Sequence, residues 1–406
     1  YGLLGNQNTT NWYQTYQTMS VGSSNGAWLM SGNKPNTASA PELVSASLTW
    51  ETIESYNLGL DWGVFNNRLT GSFDWYIRDT KNMVGNAPEL PALLGTGVPI
   101  TNNTDLRTSG WELSIGWNDR LNNGFTYGAK FNVSDARTKI TRYPNNPTKA
   151  VSTYIEGRYT NEIWGYTTVG LAKTDEEMQA HLATMPNGGQ SALGSDWKAG
   201  DIMYADINGD GKISGGSGTL NDTGDWTVIG NTTPRYLFGL DLNASWKGFD
   251  LRMFFQGVMK RDFWQGSTYL FGASNSGMWH ATGIESVSDY FRNDDTWSVQ
   301  EGYQSPNLNS YLPRPLYSNK NLQTQTRYLQ SAAYIRLKNL QLGYTFPTRL
   351  TSRYGVQNLR IYFSGENLWT GTSLVDQFDP ETISGGSGGN GYPLSRTLSC
   401  GLSVTF

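Results

Sequence analysis

A single cysteine, Cys400, stands in the whole chain, so it can build no intrachain disulfide framework and no cysteine-ligated zinc or iron–sulfur site. Histidine is almost as scarce. His181 and His280 leave little for a His-rich metal centre or a chain of proton shuttles. Charged residues make up 16% of the chain and sum to −4 at pH 7, which gives no basic field to draw in nucleic acid. Apolar runs are only a few residues long, far short of the ~18 that a membrane-spanning helix needs. Catalytic signatures are missing too: no nucleophile elbow, zincin helix, P-loop or dinucleotide fingerprint stands in a suitable context. Gly385–Gly389 has no strand leading in and no helix leading out, and Asp294-Asp295 carries no spacing signal for glycoside hydrolysis. The expectation is a protein that is not an enzyme.

What is abundant is glycine, at 47 residues, together with 15 Trp, 23 Tyr and 15 Phe. With a mean hydropathy of −0.49, a first reading is a soluble all-β protein. Period-two alternation dominates the chain. Leu69, Gly71, Phe73, Trp75 and Ile77 share one face against Thr70, Ser72, Asp74, Tyr76 and Arg78. The same pattern runs through Trp111–Trp117, Phe125–Ser134 and Thr397–Phe406, the last two ten residues long.

A soluble sandwich also alternates, but three features favour a membrane barrel. The polar faces carry Ser, Thr, Asn and Gly more than Lys and Glu, which suits a wet interior. The strands are long enough to cross a bilayer at ~45°. Connections alternate between short turns, such as Phe65–Arg68 and Trp246–Phe249, and long loops near 7–53, 79–108, 138–232, 261–330 and 369–395. That pattern predicts an all-β, transmembrane antiparallel β-barrel portion of about ten strands with long extracellular loops. Parity then places Phe406 on the periplasmic side. The chain opens on Tyr1 without a charged n-region or apolar h-region, so it reads as a processed product or a fragment.

Specific runs resemble SusC-like TonB-dependent outer-membrane transporters of Bacteroidetes. They include Leu48-Thr49-Trp50-Glu51, Asn57–Asp61, Asp206–Ile213, Thr227–Asn231, Trp246–Leu251 and Phe254–Gly257. Tyr334–Leu340, Ser364–Leu368, Asp379-Pro380-Glu381 and Tyr392-Pro393 extend the likeness over nearly the whole of residues 1–406. It implies the C-terminal part of a barrel of about twenty-two strands, without the plug or the N-terminal extension. A partial barrel would leave unpaired edges in hydrocarbon, so closure with the N-terminal plug/barrel portion of the same transporter is expected; a stand-alone ten-stranded barrel is the alternative. The resemblance further implies active nutrient import across the outer membrane. A SusD-like surface lipoprotein would cap the loops, and TonB-ExbB-ExbD would act through the missing plug. Oligosaccharide is the expected cargo; peptide uptake and a passive porin or adhesin barrel are the alternatives.

Two groups of residues are candidates for binding. Asp206-x-Asn208-x-Asp210-Gly211-Lys212 reproduces the first half of an EF-hand-type Ca²⁺ loop, with oxygen ligands at 1, 3 and 5 and the Lys212 carbonyl at 7. No Glu follows at position 12, and Asp225 is the candidate for the completing carboxylate; the alternative is a turn without an ion. Loop aromatics, above all Trp164, Tyr166, Trp197, Trp264, Trp279 and Tyr303, are candidates for ligand stacking, against loop packing or membrane girdles. Arg336 and Glu366 sit in motif strands, where they would meet plug or substrate, or form a structural ion pair. Thr174–Glu177 predicts a capped surface helix with His181 solvated.

Overall fold

A computed structural model describes the chain except for residues 7–14, 24–28, 42, 89–90, 92, 94, 272–287 and 385–390. Trp279, His280 and the Gly385–Gly389 run therefore lie outside the described residues.

Ten strands form one antiparallel sheet in strict chain order. They are β1 (Gly2–Asn6), β2 (Glu51–Val64), β3 (Leu69–Asn86), β4 (Ile100–Arg120) and β5 (Thr126–Arg142). The second half comprises β6 (Arg235–Trp246), β7 (Phe249–Lys260), β8 (Tyr334–Thr345), β9 (Asn358–Thr372) and β10 (Thr397–Thr405). Each strand pairs with its sequence neighbour, so the sheet is an up-and-down meander. Among the described residues, β1 pairs only with β2 and β10 only with β9. The sheet is thus a barrel wall that this chain leaves open.

Register puts the apolar positions on one side throughout. Leu58 faces Trp75, Leu60 faces Phe73, and Phe73 faces Leu113. Ile361 faces Leu402 at the far edge. This face is uncovered: Leu58 and Leu60 are 71% and 63% exposed, Leu398 and Leu402 62% and 63%. A continuous apolar face over ten strands is far larger than soluble monomers tolerate, and hydrocarbon is the medium that suits it. Trp62, Trp117, Tyr127, Trp246, Phe249 and Tyr344 ring its short-turn end as an aromatic girdle. The opposite face is wet, with Asn57, Ser72, Ser114 and Asn132 on it and the pairs Arg252–Asp241 (2.7 Å) and Arg360–Asp250 (2.6 Å).

The glycine and aromatic excess has a structural use here. Trp62, Tyr76, Phe238 and Tyr362 stand directly opposite Gly71, Gly110, Gly257 and Gly401. Each ring lies across the glycine, where a Cβ would collide with it. A large ring thus covers backbone that a small residue leaves bare, pinning the register. At the β6–β7 turn, Lys247 (φ 48) and Gly248 (φ 92) are both left-handed, as a two-residue type I′ hairpin requires.

Strand ends differ from expectation. Residues 79–108 were expected to be largely loop, yet β3 runs on to Asn86 and β4 starts at Ile100. β5 likewise continues to Arg142 and β9 to Thr372, while β2 begins at Glu51. Beyond the apolar band both faces meet water, so period two vanishes while the ladder continues. Cross-strand ion pairs stiffen that extension: Arg107–Asp79 (2.7 Å), Arg142–Asp105 (2.8 Å) and Lys81–Glu54 (2.7 Å). The C-terminal strand ends beside Asn358, at the short-turn end of the sheet.

Candidate functional site

The hydrophobic core of this chain lies above the wall, inside its loops. Tyr166, Met178, Trp197, Ile202 and Tyr204 from the β5–β6 loop pack with Leu270, Phe271, Phe291, Leu312 and Tyr328 from the β7–β8 loop. Leu374, Phe378 and Ile383 from the β9–β10 loop complete the cluster. Short two-stranded ladders frame it: Glu162–Gly165 with Thr227–Asn231, Thr168–Leu171 with Ile202–Tyr204, and Asp262–Trp264 with Leu329–Ser331. The helix α1 (Asp175–Ala183) starts as expected: Thr174 Oγ1 accepts from Glu177 N–H (3.2 Å) and Glu177 Oε2 accepts from Lys173 N–H (2.6 Å). His181 is half-buried rather than solvated, with Nε2 3.3 Å from Gln190 Oε1.

A buried polar hub locks the two largest loops together. Asp201 is fully buried and accepts from Arg314 Nε (2.8 Å), Arg314 Nη2 (2.8 Å), Asn321 Nδ2 (2.8 Å) and the Lys198 N–H (2.9 Å). Lys320 Nζ lies 2.8 Å from the same carboxylate, donates to the Ser195 and Asp196 carbonyls, and sits 4.6 Å over the Trp197 ring. Burial pushes the Asp201 carboxyl up, but the Arg314, Asn321 and Lys320 donors outweigh it and hold it below the ordinary range. Burial wins at Lys320, whose ammonium is lowered despite Asp201 beside it. Gln325 is fully buried and bridges Tyr204 Oη (3.2 Å) and the Asn321 carbonyl (2.8 Å), while Thr168 Oγ1 donates to its Oε1.

The third loop is tied directly to the wall. Arg336 on β8 is 3% exposed; its Nη1 meets Glu381 Oε2, its Nη2 meets Asp379 Oδ2, and its Nε donates to Thr370 Oγ1, each at 2.8 Å. Lys338 Nζ adds a contact to Glu381 at 3.0 Å. Of the readings open for Arg336 in the sequence, the structural ion pair is the one formed. Glu366 is exposed on the wet face opposite Asn339. Also on that face, Asp74 stands opposite Glu112, and among the described residues neither meets a cation.

The expected stacking residues separate by burial. Tyr166 and Trp197 are 2% and 7% exposed, in edge or tilted contact with Tyr204, so packing removes them from any ligand surface. Trp264 is half-buried against Phe271, and Trp164 lies under the Arg158 guanidinium at 5.1 Å. Tyr303 is 71% exposed and pairs with the equally open Trp297, ring centroids 5.5 Å apart.

In the Asp206–Lys212 loop, Asp206 accepts from Gly209 N–H (2.7 Å) and Gly211 N–H (2.8 Å), and Asp210 accepts from Lys212 N–H (3.0 Å). These Asx-type bonds set the tight turn that a cation loop needs and hold the Asn208 and Asp210 side chains 3.2 Å apart. Asp225, the candidate for the completing carboxylate, is bonded to the backbone of this turn. It is fully buried, with one oxygen on the Ile207 N–H (2.8 Å) and the other on the Ser214 N–H (2.8 Å), clamping both ends of the turn. Burial pushes its carboxyl up. Among the described residues, no three His, Cys, Asp or Glu side chains gather as metal ligands. Asp206 likewise has both oxygens on backbone N–H groups, and the oxygen donors at this turn are Asp206, Asn208, Asp210, Asp225 and the Lys212 carbonyl.

Comparison with known proteins agrees with this geometry. Residues 6–258 match the TonB dependent receptor-like, beta-barrel family. TonB-dependent receptor P3 of Formosa agariphila is 27% identical over 100% of this chain and 39% of its own length. TonB-dependent receptor SusC of Bacteroides thetaiotaomicron is 24% identical, again over 100% of this chain and 37% of its own. The chain therefore spans about two fifths of the relatives it matches, and these relatives are receptors rather than enzymes. Among solved structures, the RagAB peptide transporter superposes with a TM-score of 0.71 at 23% identity, covering 100% of this chain and 40% of that one, which supports the fold. The open ten-stranded wall, its lipid-facing apolar band and the matched residues together place this chain in the TonB-dependent receptor-like β-barrel family.

Proposed function

We propose that this chain forms part of the wall and the extracellular cap of an active nutrient importer, a SusC-like transporter of the outer membrane. The observation that carries the reading is the cap itself: loops fused by the Asp201 hub stand over a wet, polar wall. A body packed like a soluble domain at a pore mouth is suited to docking a lid, and a SusD-like lipoprotein is the partner proposed. The unmatched acids Asp74 and Glu112 suit a basic contact from the plug, through which TonB-ExbB-ExbD would supply energy; like charges placed opposite are costly until a cation joins them. The short-turn end, with the C-terminus, is assigned to the periplasm.

Oligosaccharide is the first cargo proposed. With Tyr166 and Trp197 withdrawn into the core, its support rests on the open Trp297–Tyr303 ring pair. Peptide uptake is the second reading, favoured by likeness to a structure described as a peptide transporter. Mass spectrometry of the intact complex tests both parts: a co-purifying plug-bearing chain or segment with a glycan or peptide ligand supports import. A lone 45.0 kDa barrel with no ligand would favour a passive porin. For the Asp206–Lys212 loop we propose a structural Ca²⁺, held by Asp206, Asn208, Asp210 and the Lys212 carbonyl, with Asp225 closing the turn from behind.

A further inference from the structure

The outward face of the wall carries a feature that transport does not use. Trp75 and Trp111 stand opposite each other at the long-loop edge of the apolar band. One outward position further along that ladder comes Arg137, opposite Ser109; one more brings Lys139, opposite Arg107. Outward positions on a strand are about 7 Å apart, so both cations sit where acyl chains give way to headgroups. Tyr159 runs alongside, with the Arg137 guanidinium 3.6 Å over its ring, and together these residues line a cleft.

The charges around this cleft do not cancel. Asp79 is taken by Arg107 in a bidentate pair, and Asp135 by Arg235. Arg137 and Lys139, both exposed, meet no carboxylate among the described residues. The stacking on Tyr159 leaves the guanidinium N–H edge open. Two uncompensated cations beside a tryptophan pair, at headgroup height on a lipid-facing wall, form an anion site with an apolar floor.

We propose that Arg137 and Lys139, over Trp75 and Trp111, bind the phosphate of an outer-leaflet lipid headgroup and fix that lipid against the β3–β5 wall. This rests on the outer-membrane reading above. The phosphate meets the guanidinium and ammonium, and the acyl chains lie along the apolar face below.

The test uses the complete transporter complex purified from outer membranes in detergent, with the double variant R137Q/K139Q beside it. Native mass spectrometry counts the phosphorylated lipids retained, and lipid A is then titrated back against its dephosphorylated form. Retention and lipid A affinity are expected to fall about tenfold or more in the variant, at roughly a factor of five per cation, with dephosphorylated lipid A binding both proteins equally weakly. An unshifted heat-resistant barrel band on gels shows that the variant is folded. Equal lipid A binding by both folded proteins would overturn the proposal, as would equal affinity for the two lipids or displacement by inorganic phosphate at micromolar levels. Recovery of the complex outside the outer-membrane fraction would overturn the membrane reading itself, and the lipid site with it.

Discussion

Arg314 and Asp201 face each other through two parallel 2.8 Å hydrogen bonds, although they belong to different loops and 113 positions separate them. Removing the Asp201 carboxylate leaves the Arg314 and Lys320 cations without the buried anion they share, at a cost of about 3–5 kcal/mol. Asp201→Ala should loosen both large loops together, read as faster amide exchange at Ile202 and Tyr204, with the wall intact. Acid should do the same. Because the folded carboxyl lies below the ordinary 3.8, its stabilisation is full above that value and drains away as pH falls through the folded pKa. Loop exchange should therefore rise below about pH 4 in the natural protein and change less in Asp201→Asn.

Neighbouring residues on β2 give opposite responses if lipid covers the apolar face. Leu58→Arg places a charge in hydrocarbon and should cost about 2–4 kcal/mol in denaturant unfolding from bilayers, whereas Asn57→Arg, on the wet face, should cost under about 1 kcal/mol. Equal losses would contradict the assignment of faces.

Arg336→Met removes every charged contact that the wall offers Asp379. Amides of Leu374–Ile383 should exchange faster while the Asp201 hub stays protected, and Glu381→Gln alone should give a smaller change, since Asp379 keeps its bond to Arg336. Loss of protection throughout the cap would show that the three loops melt as one.

Millimolar Ca²⁺ should raise the melting temperature of the cap in the intact complex, and Asp210→Ala should remove that rise. Identical melting with and without the ion in the natural protein would sink the calcium proposal. Asp225→Asn should destabilise the loop whether or not Ca²⁺ is present, as a clamp on backbone N–H groups would.

The wall was legible because hydrocarbon imposes a two-residue period, and Leu58, Leu60, Phe73 and Trp75 obey it. The period stops where the bilayer stops, so the polar ladder from Asp79 to Asn86 read as loop although its hydrogen bonds continue. Inside the cap, sequence gave residue types without partners: Trp197 looks the same whether it stacks on a ligand or on Tyr204. That choice is made by Lys320 and Gln325, more than a hundred residues downstream, and no local pattern reports it. Arg336 was visible as a charge in a strand motif, and its acids lay in the Asp379-Pro380-Glu381 motif, but only the folded loop joins them. The cations Arg137 and Lys139 follow the end of an alternating run, where a charge looks like ordinary surface.

The placement of the hydrophobic core in the loops predicts that cap and wall melt separately. Its cap coheres by excluding water from Tyr204 and its neighbours, and urea attacks that directly. Its wall coheres through inter-strand hydrogen bonds behind an apolar face that lipid would cover, so its stability depends on the amphiphile around it. Calorimetry in a stable bilayer should resolve two events, whose separation moves with lipid composition for one and with denaturant for the other.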